Sequence, residues 1–232
     1  NGAVSDREVL PGWQRLSFPV QAGLDLYGYF EGEWSKYTLI QTDGWIRSQK
    51  ARSSGKREWP ALTFVAAAQA IYLTGGRDGD RMALTSCERY RILTDQWFPA
   101  PDLNVARWGP SSCVQGRFLF VFCGFNMHSG FLNSIEQLDT EADTNGSATQ
   151  WNLISVSPDV LSGRCFPLVV PINATEILIM GGNGEGLECE RDVCVFNTAT
   201  QEVRLDKFSL NQSGSENKFK FLCRFNQSYV TR

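Results

Sequence analysis

The residues that could carry chemistry are few and far apart in this chain of 232 residues. His128 is the single histidine, which excludes any catalytic or metal site that needs two imidazole groups. Asp78 and Asp80 resemble the start of a calcium loop, but the closing glutamate is missing at the required spacing. We therefore expect no catalytic residue and no metal site, and we interpret His128 as an ordinary loop residue.

Glycines and cysteines could support two further kinds of chemistry, and the sequence favours neither. Residues 181–186 are glycine-rich, but no helix is predicted after them, and a phosphate cradle needs a helix N-terminus there. The seven cysteines contain no C-x-x-C pair, so a zinc ribbon or a thioredoxin-like site is unsupported. We expect the chain to use no cofactor.

The cysteines also bear on the compartment in which the chain works. Most lie in or beside apolar runs, which is typical of small buried hydrophobes in a reducing environment, so we expect a cytoplasmic location. Because the number of cysteines is odd, one thiol would remain free even if all the other cysteines formed disulfides. A secreted protein with one or two disulfides stays open as an alternative, because four N-x-[ST] sequons occur, at Asn145, Asn173, Asn211 and Asn226.

Composition and charge exclude several classes of protein. Hydrophobic residues make up 42% of the chain, which is enough for a packed core and too many for a disordered protein. The 25 acidic and 22 basic residues give a net charge of −3 without a basic stripe, so we expect no nucleic-acid partner. No run approaches the roughly 20 consecutive apolar residues of a membrane helix, so we expect no membrane insertion.

Three apolar runs that end in glycine divide the chain into repeats. They occupy residues 70–76, 118–124 and 176–182, and their last glycines are 48 and 58 residues apart. Each run is short and rich in β-branched or aromatic residues, which predicts a buried strand rather than a helix. Glycines punctuate the rest of the chain so densely that few helices are expected.

A second marker precedes each run and a third follows it. Arg-x-x-Pro begins at Arg57, Arg107 and Arg164, which lie 19, 17 and 18 residues before the last glycine of each run. After the glycine comes an aromatic or aliphatic strand residue, then a polar turn and another strand. The residues that mark the repeats are Gly75, Gly76, Gly124, Gly181 and Gly182 at strand ends, and Tyr37, Trp45, Tyr90, Trp97, Trp151 and Phe196 in neighbouring strands.

The repeats define the expected organisation of the chain. Residues 1–33 fit no repeat clearly and are interpreted as an N-terminal segment or the degraded edge of a blade. Residues 34–232 contain the units that start near the three arginines, with partial units at both ends. The turn of the middle unit is enlarged by a polar insertion at 141–150, and residues 223–231 read like residues 67–74.

This pattern resembles the kelch repeat, a unit of about 50 residues that forms one blade of a β-propeller. The resemblance covers about residues 34–231, although Cys123-Gly124 replaces the double glycine of the second unit and Val203 stands where a tryptophan is expected. It implies an all-β fold of four-stranded antiparallel blades. A propeller needs roughly four to eight blades, so we expect a partial propeller or fragment, completed by missing chain or by another copy.

The resemblance also implies a function in binding. We expect a non-catalytic scaffold or adaptor that binds another protein. An arginine that opens an inner strand must either pair with an acid or point into the axial opening, and the resemblance places Arg57, Arg107 and Arg164 near the central mouth. Variable polar loops after the glycines supply further candidates for partner binding. These candidates are Arg77, Asp78, Asp80, Asn126, His128, Asn183 and Glu185.

Two alternatives to a protein-interaction module stay open. One is a small-molecule enzyme that acts at the axial mouth, which would require acidic, tyrosine or lysine groups converging there. The other is a secreted, lectin-like propeller, which the sequons permit.

Overall fold

In the part of the chain that the structure describes, four antiparallel sheets of four strands each and one two-stranded hairpin make up the fold. The structure is a computed structural model, and it describes residues 19–22, 25–30, 33–40, 44–146, 150–187 and 189–206. In every sheet the strands follow one another in chain order as an up-and-down meander, and we call each four-stranded sheet a blade.

The bounds of the strands are as follows. Blade 1 consists of β1 (Pro19–Ala22), β2 (Asp25–Phe30), β3 (Glu33–Ile40) and β4 (Gly44–Gln49). Blade 2 consists of β5 (Ala61–Val65), β6 (Ala70–Thr74), β7 (Cys87–Arg91) and β8 (Gln96–Ala100). The four strands of blade 3 are β9 (Ser111–Gln115), β10 (Phe118–Phe122), β13 (Ile135–Asp139) and β14 (Asn152–Ile154). A small hairpin of β11 (Phe125–Asn126) and β12 (Gly130–Phe131) lies between β10 and β13 in the sequence, and helix α1 (Thr140–Thr144) lies between β13 and β14. Blade 4 consists of β15 (Leu168–Pro171), β16 (Glu176–Met180), β17 (Val193–Asn197) and β18 (Glu202–Leu205), with one 3-10 turn at Glu185–Leu187.

The second strands of blades 2, 3 and 4 are the three apolar runs found in the sequence. β6 is buried at all five positions and β10 at four of its five, because each lies in the middle of a sheet with a neighbouring blade against it. The first strand β5, in contrast, buries every second residue, which is the period of a strand with one covered face.

The glycines after these strands are required by a close approach between blades. Gly75 has a φ of +61°, and a Cβ atom there would lie 2.6 Å from the carbonyl oxygen of Arg107 in the next blade. The backbone N–H of Gly76 donates to the same carbonyl oxygen at 2.8 Å. A larger residue at Gly75 would therefore separate blades 2 and 3.

The blades are arranged around an axis with their first strands innermost. β1 contacts β5, β5 contacts β9, and β9 contacts β15, so the first strands follow one another around the axis. Side-chain hydrogen bonds join them: the hydroxyl groups of Thr63 and Ser112 bond to each other, and the hydroxyl of Ser111 donates to the carbonyl of Pro167. This arrangement is that of an all-β propeller, with four blades in the described part of the chain.

Apolar layers fill the spaces between successive blades. Aromatic rings dominate the layer between blades 1 and 2, where the centroids of Trp34 and Trp97 lie 5.4 Å apart. The layer between blades 2 and 3 includes Tyr72, Leu119 and Trp151. The principal buried residues between blades 3 and 4 are Phe120, Phe122, Ile135, Ile177, Ile179 and Phe196.

The polar insertion of blade 3 forms α1 and contacts the neighbouring blade. Asp139 caps the helix by accepting hydrogen bonds from the backbone N–H groups of Glu141 and Ala142. Asp143, near the end of the helix, accepts from the hydroxyl of Tyr72 at 2.7 Å and from Arg89 at 2.6 Å, both in blade 2. The insertion therefore fastens blade 3 to blade 2.

Some sequence expectations need correction or lie outside the described residues. The division after residue 33 falls inside blade 1, because β2 pairs with β3 in one sheet that also contains the buried Tyr37. Residues 1–18 and 223–231 lie outside the described residues, and so does the side chain of Trp45, although its backbone belongs to β4. In the ranges that the structure describes, no helix is long and apolar enough to span a membrane.

Candidate functional site

One end of the inner strands gathers residues from three blades. Each inner strand of blades 2, 3 and 4 is preceded by an Arg-x-x-Pro segment, at 57–60, 107–110 and 164–167, which we call the approach segments. An isolated β-bridge joins each approach segment to the loop that follows the glycines of the same blade. The bridged pairs are Glu58 with Arg77, Trp108 with Phe125, and Cys165 with Asn183. The approach segments and the glycine loops thus form one face, which we call the mouth.

Main-chain hydrogen bonds tie the three approach segments to one another. Trp59, Gly109 and Phe166 occupy the same position, immediately before the proline, and their φ angles are +52°, +62° and +55°. The N–H of Gly109 donates to the carbonyl of Trp59 at 2.9 Å, and the N–H of Phe166 donates to the carbonyl of Gly109 at 2.7 Å. Because this left-handed conformation is unfavourable for tryptophan and phenylalanine, the neighbouring blades must hold it in place.

Five aromatic rings cluster at the mouth, and we call them the mouth cluster. The ring centroids of Trp59 and Trp108 lie 4.9 Å apart, and Trp108 also lies 4.9 Å from Phe125. Phe125 meets Phe131 at 5.0 Å. Trp59 of blade 2 and Phe166 of blade 4 are only 5.9 Å apart although blade 3 lies between their blades. Rings from non-adjacent blades can meet only close to the axis, so the cluster lies at the centre of the mouth.

Arg77 lies on the mouth cluster. Its guanidinium carbon is 3.8 Å from the centroid of the Trp59 ring and 6.0 Å from that of Trp108. Its Nη2 forms an ion pair with Glu58 at 2.5 Å, and its Nε donates to the same carboxylate oxygen at 2.7 Å. The cation–π contact and the ion pair together fix the guanidinium beside the rings.

The indole groups of the mouth differ from those between the blades. Trp97 donates its indole N–H to the carbonyl of Ala51 at 2.8 Å, and Trp151 donates to that of Pro101 at 2.8 Å. Trp59 and Trp108 are half-buried and make no such bond within the described ranges, and neither indole nitrogen is among the buried polar atoms that have no partner. Both indole N–H groups are therefore at least partly accessible to solvent.

Two of the glycine loops carry exposed methionines. Met82 is 46% exposed on the loop of blade 2, and Met127 is 64% exposed at the tip of the β11–β12 hairpin. His128 is exposed next to Met127, and its backbone N–H donates to the side-chain oxygen of Asn126 at 2.8 Å. Methionine side chains adapt to varied apolar surfaces, so these two extend the apolar part of the mouth.

The polar candidates from the sequence have mixed roles at this face. Asp78 accepts hydrogen bonds from the backbone N–H groups of Asp80 and Met82, so it shapes its own loop. Asp80 and Glu185 are exposed carboxylates on the loops of blades 2 and 4. Asn183 is buried and bridges to the approach segment of blade 4. Asn126, beside the turn of its hairpin, donates its side-chain N–H to the carbonyl of Ala106 at 2.8 Å.

The three arginines that begin the approach segments are placed differently from the expectation. All three side chains are buried, so they cannot contact a partner at the mouth in this structure. The pairing with an acid that the sequence left as the alternative is what the structure contains, since a buried charge is stable only with a partner. The ion pairs are Arg57–Glu88 at 3.0 Å, Arg107–Glu136 at 2.7 Å and Arg164–Asp192 at 2.7 Å.

Arg107 shows what these buried arginines do. Its Nη1 donates to the carbonyl oxygens of Cys123 at 2.8 Å and Ser134 at 3.1 Å, which lie at the end of β10 and before β13. Its Nη2 donates to Glu136 at 2.7 Å. Burial lowers the pKa of the guanidinium, and the charge of Glu136 acts in the opposite direction. Each such arginine therefore holds together two strands of its own blade at the base of the mouth.

Sequence reasoning missed the mouth cluster itself. Trp59, Trp108 and Phe166 stand within the very Arg-x-x-Pro motifs that were used to define the repeats. An aromatic residue at one of the two variable positions of all three motifs was the available signal. It was obscured because the aromatic residue alternates between the second and the third position of the motif.

The described part of the chain contains no group of three histidine, cysteine, aspartate or glutamate side chains that could hold a metal ion. Five of its cysteines, each buried, are free thiols, namely Cys87, Cys113, Cys123, Cys165 and Cys194. Burial raises the pKa of each of them to about 12, so they lack the thiolate character of a nucleophile.

Comparisons with known proteins agree with this architecture. The family model described as the Kelch motif matches residues 62–104. Human Kelch domain-containing protein 3 is 25% identical over 203 residues, which covers 75% of this chain and 51% of that protein, so the chain spans about half the length of this relative. The solved structure of YjhT superposes with a TM-score of 0.66 at 13% identity, covering 83% of this chain and 64% of that one, and this likeness concerns the fold alone.

Proposed function

Because this chain is a kelch-repeat protein, as the sequence resemblance predicted, we propose that it is a binding module that recognises another protein through its mouth. The observation that carries the proposal is the cluster of half-buried tryptophans beside Arg77 at the centre of this face. Tryptophan and arginine are the residue types that contribute most binding energy at protein interfaces.

The surroundings of the cluster support the same proposal. Met82 and Met127 add exposed apolar surface on the glycine loops of blades 2 and 3, and the exposed Asp80 and Glu185 lie on those of blades 2 and 4. An apolar centre with a polar rim is the usual anatomy of a protein–protein interface. An apolar area of this kind on one face favours an interaction site.

The scaffold beneath the cluster is held in a fixed shape. The backbone bonds between Trp59, Gly109 and Phe166 and the buried pair of Arg107 with Glu136 restrict the approach segments before any partner arrives. Binding then costs less conformational entropy, because the contact residues are already ordered.

The enzyme alternative finds less support. Among the described residues, the centre of the mouth consists of aromatic rings, the Arg77–Glu58 ion pair and backbone groups, and the acids Asp80 and Glu185 lie on loops of different blades, whereas a small-molecule enzyme would need acids, tyrosines or lysines that converge. This composition favours recognition over chemistry at the axial opening.

A peptide-display selection tests the proposal directly. The immobilised chain is used to enrich peptides from a random library, and the enriched peptides are then measured against variants. We expect Trp108→Ala and Met127→Ala to lose binding about tenfold or more, whereas Leu93→Ala, an exposed residue at the other end of the blade, leaves it unchanged.

Two results would contradict the proposed function. One is a selection that enriches no peptide, and the other is binding that survives both mouth substitutions. Thermal unfolding of each variant controls for loss of fold, and Met127→Ala is the decisive variant because its exposed side chain contributes little to the core.

A further inference from the structure

The geometry points to a specific partner chemistry for the mouth: an extended, proline-rich segment with basic residues on its flanks. This inference rests on the proposed function, since it names the class of polypeptide that the same face would recognise. Three features of the described residues support it, namely the arrangement of the rings, the free indole donors and the charges of the flanking loops.

The rings of the mouth cluster contact one another at tilted angles, 47° between Trp59 and Trp108 and 43° between Trp108 and Phe125, and the guanidinium of Arg77 lies over one face of Trp59. Trp59 and Trp108 pack at 4.9 Å and Trp108 and Phe125 at 4.9 Å, so no side chain can insert between neighbouring rings. A partner must therefore lie across the rings. Pyrrolidine rings of a polyproline II helix are flat, apolar and already ordered, and they pack on aromatic surfaces of this kind.

The indole N–H groups of Trp59 and Trp108 are the hydrogen-bond donors for such a partner. A polyproline II segment has no internal hydrogen bonds, so its carbonyl oxygens remain available as acceptors. The N–H groups of Trp59 and Trp108 make no hydrogen bond within the described ranges and are not fully buried, in contrast to the satisfied N–H groups of Trp97 and Trp151 between the blades. Two partly accessible donors set among aromatic rings match a ligand that presents carbonyl oxygens next to apolar rings.

The charges around the cluster favour basic flanks. Asp80 and Glu185 are exposed on glycine loops of different blades, but Arg81 and Arg191 are exposed on the same two loops. Acidic groups still outnumber basic ones on the described residues of these loops, where Asp78, Asp80, Glu185, Glu190 and Asp192 stand against Arg77, Arg81 and Arg191, and the charge of Arg77 is paired with Glu58. A lysine or arginine on either side of the prolines would meet these carboxylates. Such rim contacts affect the association rate and selectivity more than the affinity.

The test uses the full chain labelled with nitrogen-15 and a capped oligoproline peptide with lysines at both ends. We expect the indole N–H signals of Trp59 and Trp108 to shift on titration while those of Trp97 and Trp151 stay in place. Signals are assigned from single Trp→Phe variants. A glycine–serine peptide with the same lysines is the matched control, and we expect it to cause no shift.

Variants of the mouth residues test the indole donor and the loop charges separately. Trp108→Phe keeps an aromatic ring and removes the N–H donor, so we expect binding of the oligoproline peptide to weaken about tenfold. A D80N/E185Q double variant is expected to lower binding of the lysine-flanked peptide and to leave binding of an uncharged oligoproline unchanged.

The outcomes separate this inference from the proposed function. If peptides from the random library bind at the mouth but oligoproline does not shift the Trp59 and Trp108 signals, the proline preference is overturned and the protein-binding function stands. If the glycine–serine peptide shifts the same signals equally, the preference is likewise overturned. If neither library peptides nor oligoproline bind, both proposals fail.

Discussion

The guanidinium of Arg107 and the carboxylate of Glu136 meet at 2.7 Å with no solvent exposure of either side chain. Glu136 also accepts hydrogen bonds from the backbone N–H groups of Asn104 and Val105, which lead into the approach segment. The pair thus joins the segment that supports Trp108 to the third strand of its blade. Its role is structural, and its loss would affect the whole of blade 3.

Removing one partner of this pair should destabilise the chain strongly. We expect Arg107→Met to lower the free energy of unfolding by about 3–5 kcal/mol, because Glu136 is left as a buried charge without its partner. The double variant R107M/E136L should recover part of that loss. Urea unfolding measures both.

The exposed pair of Arg117 with Asp139 provides the control, since Arg117→Met should cost about 0.5 kcal/mol or less. A loss below about 1 kcal/mol for Arg107→Met, together with weaker peptide binding, would instead support an arginine that faces the mouth.

Gly163 offers a steric test of the contact between blade 3 and blade 4. A Cβ atom at Gly163 would lie 2.2 Å from the carbonyl oxygen of Phe131, which is backbone and cannot turn away. We expect Gly163→Ala to lower stability by roughly 1–3 kcal/mol. Gly55→Ala is the matched control, because a Cβ there meets nothing within 4 Å, and its effect should stay below about 1 kcal/mol. Equal melting temperatures for the two variants would refute the contact.

Asp143 of α1 should matter far more than its neighbour Glu141. Asp143→Ala removes the acceptor of both Tyr72 and Arg89 and leaves the guanidinium of Arg89 largely buried without its carboxylate. We expect a loss of about 3 kcal/mol in the free energy of unfolding. Glu141→Ala, on the exposed side of the same helix, should cost about 0.5 kcal/mol or less. Similar losses for both variants would mean that the insertion does not fasten blade 3 to blade 2.

The buried thiols should resist alkylation in the folded chain. Burial raises the pKa of Cys87 from 9.0 to about 12, and Cys123 and Cys194 are raised to about 12 in the same way. The thiol form is therefore favoured by folding, and this contribution to stability is present below about pH 9 and lost as the pH rises toward 12. Iodoacetamide labelling read by peptide mass spectrometry should modify these cysteines only after denaturation. Rapid modification of Cys123 at neutral pH would contradict the described packing.

The sequence predicted the blades better than it predicted the site. The apolar runs ending at Gly76, Gly124 and Gly182 became second strands because a buried strand has a strong local signal. The acidic partner of each buried arginine is distant from it in the sequence. It lies 31, 29 and 28 residues downstream at Glu88, Glu136 and Asp192. Because the separation differs between the three pairs, no fixed sequence spacing identifies the acidic partner.

The mouth cluster depends on geometry that a sequence does not display. Trp59 and Phe166 adopt positive φ just before a proline, a conformation that local preferences oppose and only the packed blades impose. The meeting of rings from blades 2 and 4 likewise follows from curvature around the axis. Both are consequences of the assembled propeller, so neither could be derived from a single repeat.

The main-chain bonds between Trp59, Gly109 and Phe166 have a consequence for how the protein can evolve. Since the linkage uses only N–H and C=O groups, no particular side chain is needed to form it, and tryptophan, glycine and phenylalanine occupy equivalent positions although their left-handed conformation favours glycine. Selection can therefore alter the side chains at the centre of the mouth one blade at a time while the geometry that presents them persists. Divergent copies of such a gene could acquire different partners without first acquiring a different fold.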